Sequence, residues 1–375
     1  MNRRSFLLQT GLCGAALLCP ACRKRPSPAA PEGTFPVVVA RGSPFEVGAA
    51  IGAASRDRIA RLVKRREKWF TELLRFALAD RSTRIDGFAR ATAKHHPEIM
   101  AELRGLAKGA QRPLDEILVL NLQPELGALK HRCQSAEKPA KVGCGDCSTL
   151  HLVQGGRILL AHNEDDHHAN RDLMALLRVA PTGRPTFVSL SYPGVIPGNV
   201  PAMTGAGLMQ TTNFIGGSEV RVGVPRYVLG RAILDARNID EAVQRAVNPD
   251  GAYSFHVNLG SKKEQRLVSI EVAPGGRHDL RDTRQDLYVH TNHFLLPGTK
   301  AVPQIATYAG GSSDSRYRIL QRARKTLPPL AKVGPEHLTR LLSSHQAIKA
   351  PYSPCRHPHG DIQGQTMAMA LFDVR

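Results

Sequence analysis

After Cys133 the sequence changes texture, and that change decides what the chain can fold into. Upstream, residues 36–132 read mainly as helix. PVVVAR is a short strand, and a long helical stretch with a basic outer face follows from about Pro44 to Arg81, broken once. A helical pair comes next over Ile85–His95 and Pro97–Ala110, where Pro97 suits a first turn and Gly109 and Pro113 an exit. LDEILVLNL reads as one more short helix. Downstream the period becomes two-fold. STLHLV and RILLAH are alternating apolar runs joined by Gln154-Gly155-Gly156, a hairpin signal. LLRVA, TFVSLSY and GLMQTTNF continue the pattern, one helix over about Tyr227–Ala246 interrupts it, and SFHVNL, RLVSIEVA and DLYVHTN resume it. A helical zone over Arg316–Ser344 precedes TMAMALFDV, a closing strand. Strands in runs with helices grouped between them predict stacked antiparallel sheets covered by helices rather than a doubly wound parallel sheet.

The 375 residues, 42% of them hydrophobic, suffice for one large domain or two small ones. The formal net charge is +19, yet the basic residues form only short clusters such as Lys64-Arg65-Arg66 and Arg23-Lys24-Arg25. No Arg/Lys stripe is interleaved with aromatics, so a solvated basic surface is expected and nucleic acid is not a partner. Residues 1–22 read as an export signal. Arg3-Arg4 precede a short apolar run, and the layout resembles a twin-arginine signal. Cys22 is a candidate lipidation site that would tether the chain to a membrane; plain cleavage nearby is the alternative. Residues 23–35 are a Pro/Ala-rich flexible tether. An exported, periplasmic or envelope location follows as the expectation. Three of the seven cysteines (Cys13, Cys19, Cys22) then belong to the signal, which leaves Cys133, Cys144, Cys147 and Cys355. That number permits a disulfide among Cys133, Cys144 and Cys355 but makes no disulfide scaffold.

The stretch VGCGDCSTLHLVQGGRILLAHNEDD carries the chemistry. Cys147 lies in a Gly-rich turn immediately before an apolar strand, the placement an N-terminal nucleophile needs. Small residues let the scissile carbonyl approach the thiol, and the strand holds the new terminus rigidly. Thiolate is the attacking form, and a free cysteine has a pKa of about 8.5. Cleavage of the Asp146–Cys147 peptide would give residue 147 an α-amino group with a pKa of about 7.7–8. One residue then supplies both nucleophile and base, and no histidine partner is required. Three other readings stand beside this one. Cys144-Gly-Asp-Cys147 is a C-x-x-C, but it has no second copy and precedes a strand. His162-Asn163-Glu164-Asp165-Asp166-His167-His168 has a metal-like composition, but adjacent ligands on a strand point in different directions. Cys147 as a structural cysteine of a core strand is the third. Neither a metal nor a cofactor is expected.

Several patches together tip the balance. HHPEIMAELRGLAKGAQRPLDEILVLN, DCSTL, LLAHNEDD, GAGLMQTTN, GVPRYVLGRAIL, VHTNHFL, SSDSRYRIL, PCRHP and TMAMALFD occur in an order that resembles the acyl-coenzyme A:6-aminopenicillanic acid acyltransferase-like family of N-terminal nucleophile hydrolases. The likeness runs from about Phe45 to Phe372. It implies an α+β fold, a four-layer αββα sandwich of two antiparallel sheets. It also implies a precursor that splits into a helical chain, residues 36–146, and a longer chain, residues 147–375, which stay associated. Cys147 takes the nucleophile role and Asp146–Cys147 the cleavage site. Asp165 matches an aspartate that orients the nucleophile, although Glu164 replaces the aromatic usual beside it. Asn292 matches an oxyanion donor. Arg316 matches an arginine that holds Asp165 or the nucleophile's surroundings. Cys355 is expected to be structural or a disulfide partner. The implied activity is hydrolysis of an amide, or transfer of an acyl group, on a small acyl amide or thioester. Two alternatives come from other classes: a papain-like cysteine protease, which needs Cys147 at a helix start, and a non-enzymatic basic envelope lipoprotein.

Overall fold

The computed structural model describes residues 35–134, 146–284, 286–305, 311–347, 352–360 and 362–374. The export signal, nearly all of the tether, and Cys13, Cys19, Cys22 and Cys144 lie outside the described residues.

Strand β1 (Val37–Gly42) leads into a helical stack: α1 (Pro44–Arg65), α2 (Glu67–Ala79), α3 (Gly87–His95), α4 (Pro97–Ala110), α5 (Leu114–Asn121) and α6 (Gln123–Gln134). Ser43 opens α1 with a reciprocal capping box to Glu46, and Pro44 and Pro97 occupy first turns where no N–H is needed. The expected break in the long helix falls at Arg66, and a wide π-helical turn over Ser82–Asp86 precedes α3. Helix α6 was not foreseen: its amphipathicity is weak, and its mixed polar sequence hides it.

Helices α1 and α4 lie side by side in the same direction, nearly backbone to backbone. A Cβ added at Gly48 would stand 2.0 Å from Glu102 O, at Gly52 2.3 Å from Leu106 O, at Gly105 2.0 Å from Phe45 O, and at Gly109 2.0 Å from Ala49 O. Two glycines spaced four apart on each helix thus form a seam that admits no side chain. This seam fixes the helical layer on which the first sheet rests.

That first sheet has eight strands in the order β1-β4-β5-β6-β7-β8-β9-β10, with β4 (Ala175–Pro181), β5 (Phe187–Ser191), β6 (Ala202–Thr204), β7 (Leu208–Phe214), β8 (Phe255–Ser261), β9 (Arg266–Val272) and β10 (His278–Asp282). The second has four, β11-β2-β3-β12, with β2 (Ser148–Gln154), β3 (Arg157–His167), β11 (Leu287–His290) and β12 (Gly364–Val374). The hairpin read at Gln154-Gly155-Gly156 joins β2 to β3, both glycines at positive φ. One pairing departs from the antiparallel expectation: β1 lies parallel to β4, Val37 opposite Leu176. Most of the helical segment and the β2–β3 hairpin separate the two strands, so no tight turn imposes an antiparallel partner. The helix expected over Tyr227–Ala246 is two, α7 (Arg226–Ile233) and α8 (Ile239–Ala246), because Asn238 caps the second with its side chain. The last helical zone likewise divides into α9 (Ser312–Arg324) and α10 (Pro335–Leu342).

The layers are αββα. Leu103, Leu106, Ile117, Leu120, Val228 and Ile233 of the helices join Leu177, Val257, Val268 and Ile270 of the first sheet in one core. On the other side, Leu320, Leu338, Leu341 and Leu342 of α9 and α10 cover Leu150, Leu152, Leu159 and Ala161. Between the sheets, only part of the contact is apolar (Ile158 and Leu160 against Met209 and Leu267). The rest is a buried polar layer. Thr149 Oγ1 donates to Asn213 Oδ1 at 2.9 Å, and the His151 ring meets Asn258 Oδ1 at 2.6 Å and Thr283 Oγ1 at 3.2 Å. His256 meets Ser269 Oγ at 2.6 Å and His290 meets Glu271 Oε1 at 2.8 Å. Among the described residues no helix is long and apolar enough to cross a membrane.

The glycine seam gives a contrast that urea unfolding can measure. Gly105→Ala forces two backbones apart and is expected to cost about 2–3 kcal/mol. Gly127→Ala on α6, where a new Cβ meets nothing within 4 Å, should gain up to about 1 kcal/mol from helix propensity. Equal effects at the two positions would refute the close-packed seam.

Candidate active site

Cys147 is buried at the head of β2. Because Ser148 pairs with Asn163, residue 147 comes opposite Glu164 on the neighbouring strand. Alternation sorts the side chains. Ser148, Leu150 and Leu152 face α9 and α10, while Cys147, Thr149 and His151 face the polar layer between the sheets. On β3, His162 and Glu164 share that inner side; Asn163 and Asp165 take the outer one.

The inner group is a continuous chain of hydrogen bonds. Cys147 Sγ lies 3.9 Å from Glu164 Oε2, which lies 3.2 Å from His162 Nε2, and His162 Nδ1 lies 2.9 Å from Thr149 Oγ1. The Tyr192 hydroxyl donates to Glu164 Oε1 at 2.8 Å. Thr149 spends its proton on Asn213, so the network assigns the His162 proton to Nδ1 and leaves Nε2 as an acceptor. Burial pushes Glu164 up to about 8, against the pull of Tyr192 and Arg226, and pushes His162 down to about 3. At neutral pH the pair is therefore a carboxylic acid donating to a neutral imidazole. The Cys147 thiol is held well above its usual range, by burial first and then by Glu164 and Asp165; a hydrogen bond from the Asp165 backbone and the charge of Arg316 oppose this. Sulfur, imidazole and carboxylate here lie within 4.8 Å of one another, a metal-like trio by distance. All three are also engaged as a proton chain.

Arg316 organises the other side. Fully buried in the first turns of α9, it spreads its guanidinium over five acceptors. Nη1 donates to the Cys147 carbonyl at 2.7 Å and to Ser148 Oγ at 2.8 Å, Nη2 to Asn292 Oδ1 at 2.8 Å, and Nε to Ser312 Oγ at 3.1 Å. Asp146 Oδ1 completes the set at 3.6 Å. Arg356 Nη1 also binds Asp146, at 2.6 Å. Burial works against ionisation of Asp146, but Arg356 and Arg316 outweigh it and hold its carboxyl below the usual range. Asn292, besides accepting from Arg316, donates through Nδ2 to Phe214 O at 2.8 Å.

Of the four residues expected at the site, the structure thus joins Cys147, Arg316 and Asn292 directly. Arg316 grips the backbone of Cys147; its influence on Asp165 is through space. Asp165 sits behind the thiol, its side chain on the opposite face of β3 and its carboxyl pushed to about 7 by burial. Sequence reasoning gave no role to His162, Tyr192 or Arg356. The two-residue alternation His162-x-Glu164, which puts both side chains on one face of the strand, was the available signal for the first; nothing local marks Tyr192. Arg226, nearly fully buried, acts on Glu164 through space, and its Nε and Nη1 find no partner among the described residues. Cys147 opens a strand, not a helix as a papain-like protease requires.

The model of the acyl-coenzyme A:6-aminopenicillanic acid acyl-transferase family matches residues 153–375, more than half of the chain. The chain belongs to this family. The matched stretch contains Asp165, Asn292 and Arg316, and begins just after Cys147. Among curated relatives, the beta-alanyl-dopamine/carcinine hydrolase of Drosophila melanogaster is 27% identical over 256 residues, 64% of this chain and 65% of that protein. The 40 kDa form of acyl-coenzyme A:6-aminopenicillanic-acid-acyltransferase of Emericella nidulans is 25% identical over 264 residues, 69% of each chain. The chain thus spans less than two thirds of the length of the Drosophila relative. Among solved structures, the Caenorhabditis elegans ortholog of N-acylethanolamine-hydrolyzing acid amidase aligns over 53% of this chain and 86% of its own at 12% identity, with a TM-score of 0.40. Penicillin V acylase of Agrobacterium tumefaciens aligns over 51% and 68% at 13% identity, with a TM-score of 0.28.

The buried acids set a pH dependence. Glu164 at about 8 and Asp165, Asp166 and Glu125 at about 7 keep protons in the folded chain that the unfolded chain has released. Folding then binds protons, and stability falls as pH rises from the ordinary carboxylate range through these values. His151 and His162, both lowered to about 3, act in the opposite sense, but only below their unfolded value of about 6.5. In a Cys147→Ala background Tm should therefore drop between about pH 6.5 and 8.5, and Glu164→Gln should flatten that slope. A Tm that rises across the window would contradict the assignment.

Proposed function

We propose that the chain is a self-processing cysteine amidohydrolase that cuts itself between Asp146 and Cys147 and then cleaves, or transfers, the acyl group of a small amide. The observation that carries this reading is the placement of Cys147. Its carbonyl is pinned by Arg316, the residue before it is held by Arg356 and Arg316, and its thiol faces the Glu164–His162 pair. Family membership supports acyl transfer as the reaction class.

In the precursor, Cys147 sulfur attacks the Asp146 carbonyl carbon and the thiol proton passes to the Glu164 carboxylate. The C–N bond breaks, the proton moves to the departing nitrogen, and a thioester joins Asp146 to the sulfur. Water hydrolyses the thioester, which frees an Asp146 carboxylate and a Cys147 that bears an α-amine. In the processed enzyme that amine takes the thiol proton and the sulfur attacks the substrate carbonyl. Asn292 is positioned by Arg316 to meet the oxyanion. The leaving amine receives the proton, and water releases the acyl group. Hydrolysis is favoured over transfer because an exported enzyme meets water rather than coenzyme A. Arg226 Nε and Nη1, which find no hydrogen-bond partner among the described residues, suit a substrate that carries an anionic group near the scissile amide. The two chains would stay together, since residues of 36–134 and of the first sheet share one core. Residues 1–22 are read as the export signal, with Cys22 as the candidate tether point.

Intact-mass analysis and N-terminal sequencing of the purified protein test the reading. Two co-eluting chains, the second beginning at Cys147, are expected for the native sequence, and one unbroken chain for Cys147→Ala. An active native protein that remains whole through residues 146 and 147 overturns it. Processing followed against pH should speed up as Glu164 ionises, levelling off above about pH 8. Glu164→Gln should slow it by at least tenfold and remove the inflection; an unchanged profile would exclude Glu164 as the proton acceptor.

A further inference from the structure

Three metal-ligating side chains outside the chemistry above converge where two C-terminal loops meet. Asn163 of β3 ties these loops together, donating through Nδ2 to Leu342 O at 2.8 Å and to Pro354 O at 3.0 Å. The Cys355 N–H adds a bond to Ser344 O at 3.0 Å. From this junction His345, Cys355 and His357 present Nε2, Sγ and Nε2, all within 4.8 Å of one another. The two imidazoles lie nearly parallel, 12° apart, with their Nε2 atoms 2.9 Å from each other. Cys355 is buried and both histidines are exposed, so the thiol sits at the floor of a site that opens to solvent.

We propose that His345, Cys355 and His357 bind one zinc ion. One thiolate and two imidazoles are a tetrahedral zinc donor set with a fourth position open, at about 2.3 Å from sulfur and about 2.0–2.1 Å from nitrogen. Those bond lengths place two tetrahedral nitrogen ligands about 3.3 Å apart. The observed 2.9 Å reaches that value when two exposed rings swing by a few tenths of an ångström. One thiolate and two imidazoles are not the oxygen donors that calcium and magnesium take. The sulfur is fixed by its backbone: Cys355 N–H is tied to Ser344 O, and Ser353 Oγ donates to the Cys355 carbonyl. Sequence spacing conceals the site, since His345 stands on a different loop from the Cys355-Arg356-His357 run. The residue between the two C-terminal ligands is Arg356, whose guanidinium holds Asp146 and whose N–H donates to Thr366 Oγ1 at 2.9 Å. An ion here fixes the turn that presents Arg356 to the residue ahead of Cys147. The site itself does not depend on the amide chemistry.

Cobalt is the probe. Full-length protein, reduced and stripped with a chelator, is titrated with Co²⁺ and then with Zn²⁺. One equivalent of Co²⁺ should give the thiolate-to-cobalt charge-transfer band and the d–d bands of a tetrahedral centre, and Zn²⁺ should bleach both. Cys355→Ser should abolish the charge-transfer band. The exposed pair His345→Ala/His357→Ala, which keeps the buried thiol and its packing, should weaken binding at least 100-fold. Cys147→Ala should still take up one equivalent, which separates this site from the Cys147–His162–Glu164 trio. No charge-transfer band in the native protein, a band that survives Cys355→Ser, loss of binding in Cys147→Ala, or a mass that places Cys355 in a disulfide would each overturn the proposal.

Discussion

A guanidinium with no exposure to water is the constraint around which this molecule is arranged. Stripping a charge of its solvent costs several kcal/mol unless every donor is matched, and Arg316 is tolerated only because five acceptors from three separate segments converge on it. Each acceptor is placed by a different part of the fold: Cys147 and Ser148 by the head of β2, Asn292 by the end of β11, Ser312 by the first turn of α9, and Asp146 by the approach to the strand. The geometry runs in both directions. The cation cannot be satisfied unless the second sheet is complete and α9 has docked, and the backbone of Cys147 cannot shift without stripping the cation of a partner. Rigidity at residue 147 is thus a by-product of electrostatics rather than of apolar packing.

The layer between the sheets extends the same logic. Most sandwiches fill that space with aliphatic side chains. Here His151, His162, His256, Asn213, Asn258, Thr149 and Ser269 occupy part of it, all fully buried and all hydrogen-bonded to one another. Such a network fixes the register of one sheet on the other, since a shift in either strand set would leave several groups without partners. It also supplies the low-dielectric, ordered surroundings in which a carboxylic acid and a neutral imidazole persist beside a thiol.

Periodicity and turn chemistry made most of the fold legible in the sequence. The β2–β3 hairpin followed from Gly155-Gly156, the start of α4 from Pro97, and stacked antiparallel sheets covered by helices from strands in runs with helices grouped between them; the αββα order was implied by the family resemblance. Three features were out of reach for physical reasons. The parallel pairing of β1 with β4 joins strands far apart in the chain, where no local turn signals a partner. The division of the helix after Tyr227 depends on the cap at Asn238, a single side chain. Helix α6 has almost no apolar stripe. At the site, Cys147 was read from its Gly-rich turn before an apolar strand, Arg316 and Asn292 from a resemblance, and the three lie in one network, whereas Tyr192 and Arg356 reach it through tertiary contacts that no spacing encodes. Asp165, placed behind the thiol rather than beside it, shows how strand alternation separates neighbours in sequence: its adjacent residue, Glu164, is the one that faces the sulfur.

The parallel edge strand has a consequence for assembly. β1 is hydrogen-bonded into a sheet whose other strands all follow residue 147. A break ahead of that residue turns an intramolecular pairing into one between two polypeptides. Regaining the native state after denaturation then becomes a second-order event, governed by the concentration of both pieces. A cut molecule of this design would persist chiefly because it comes apart slowly.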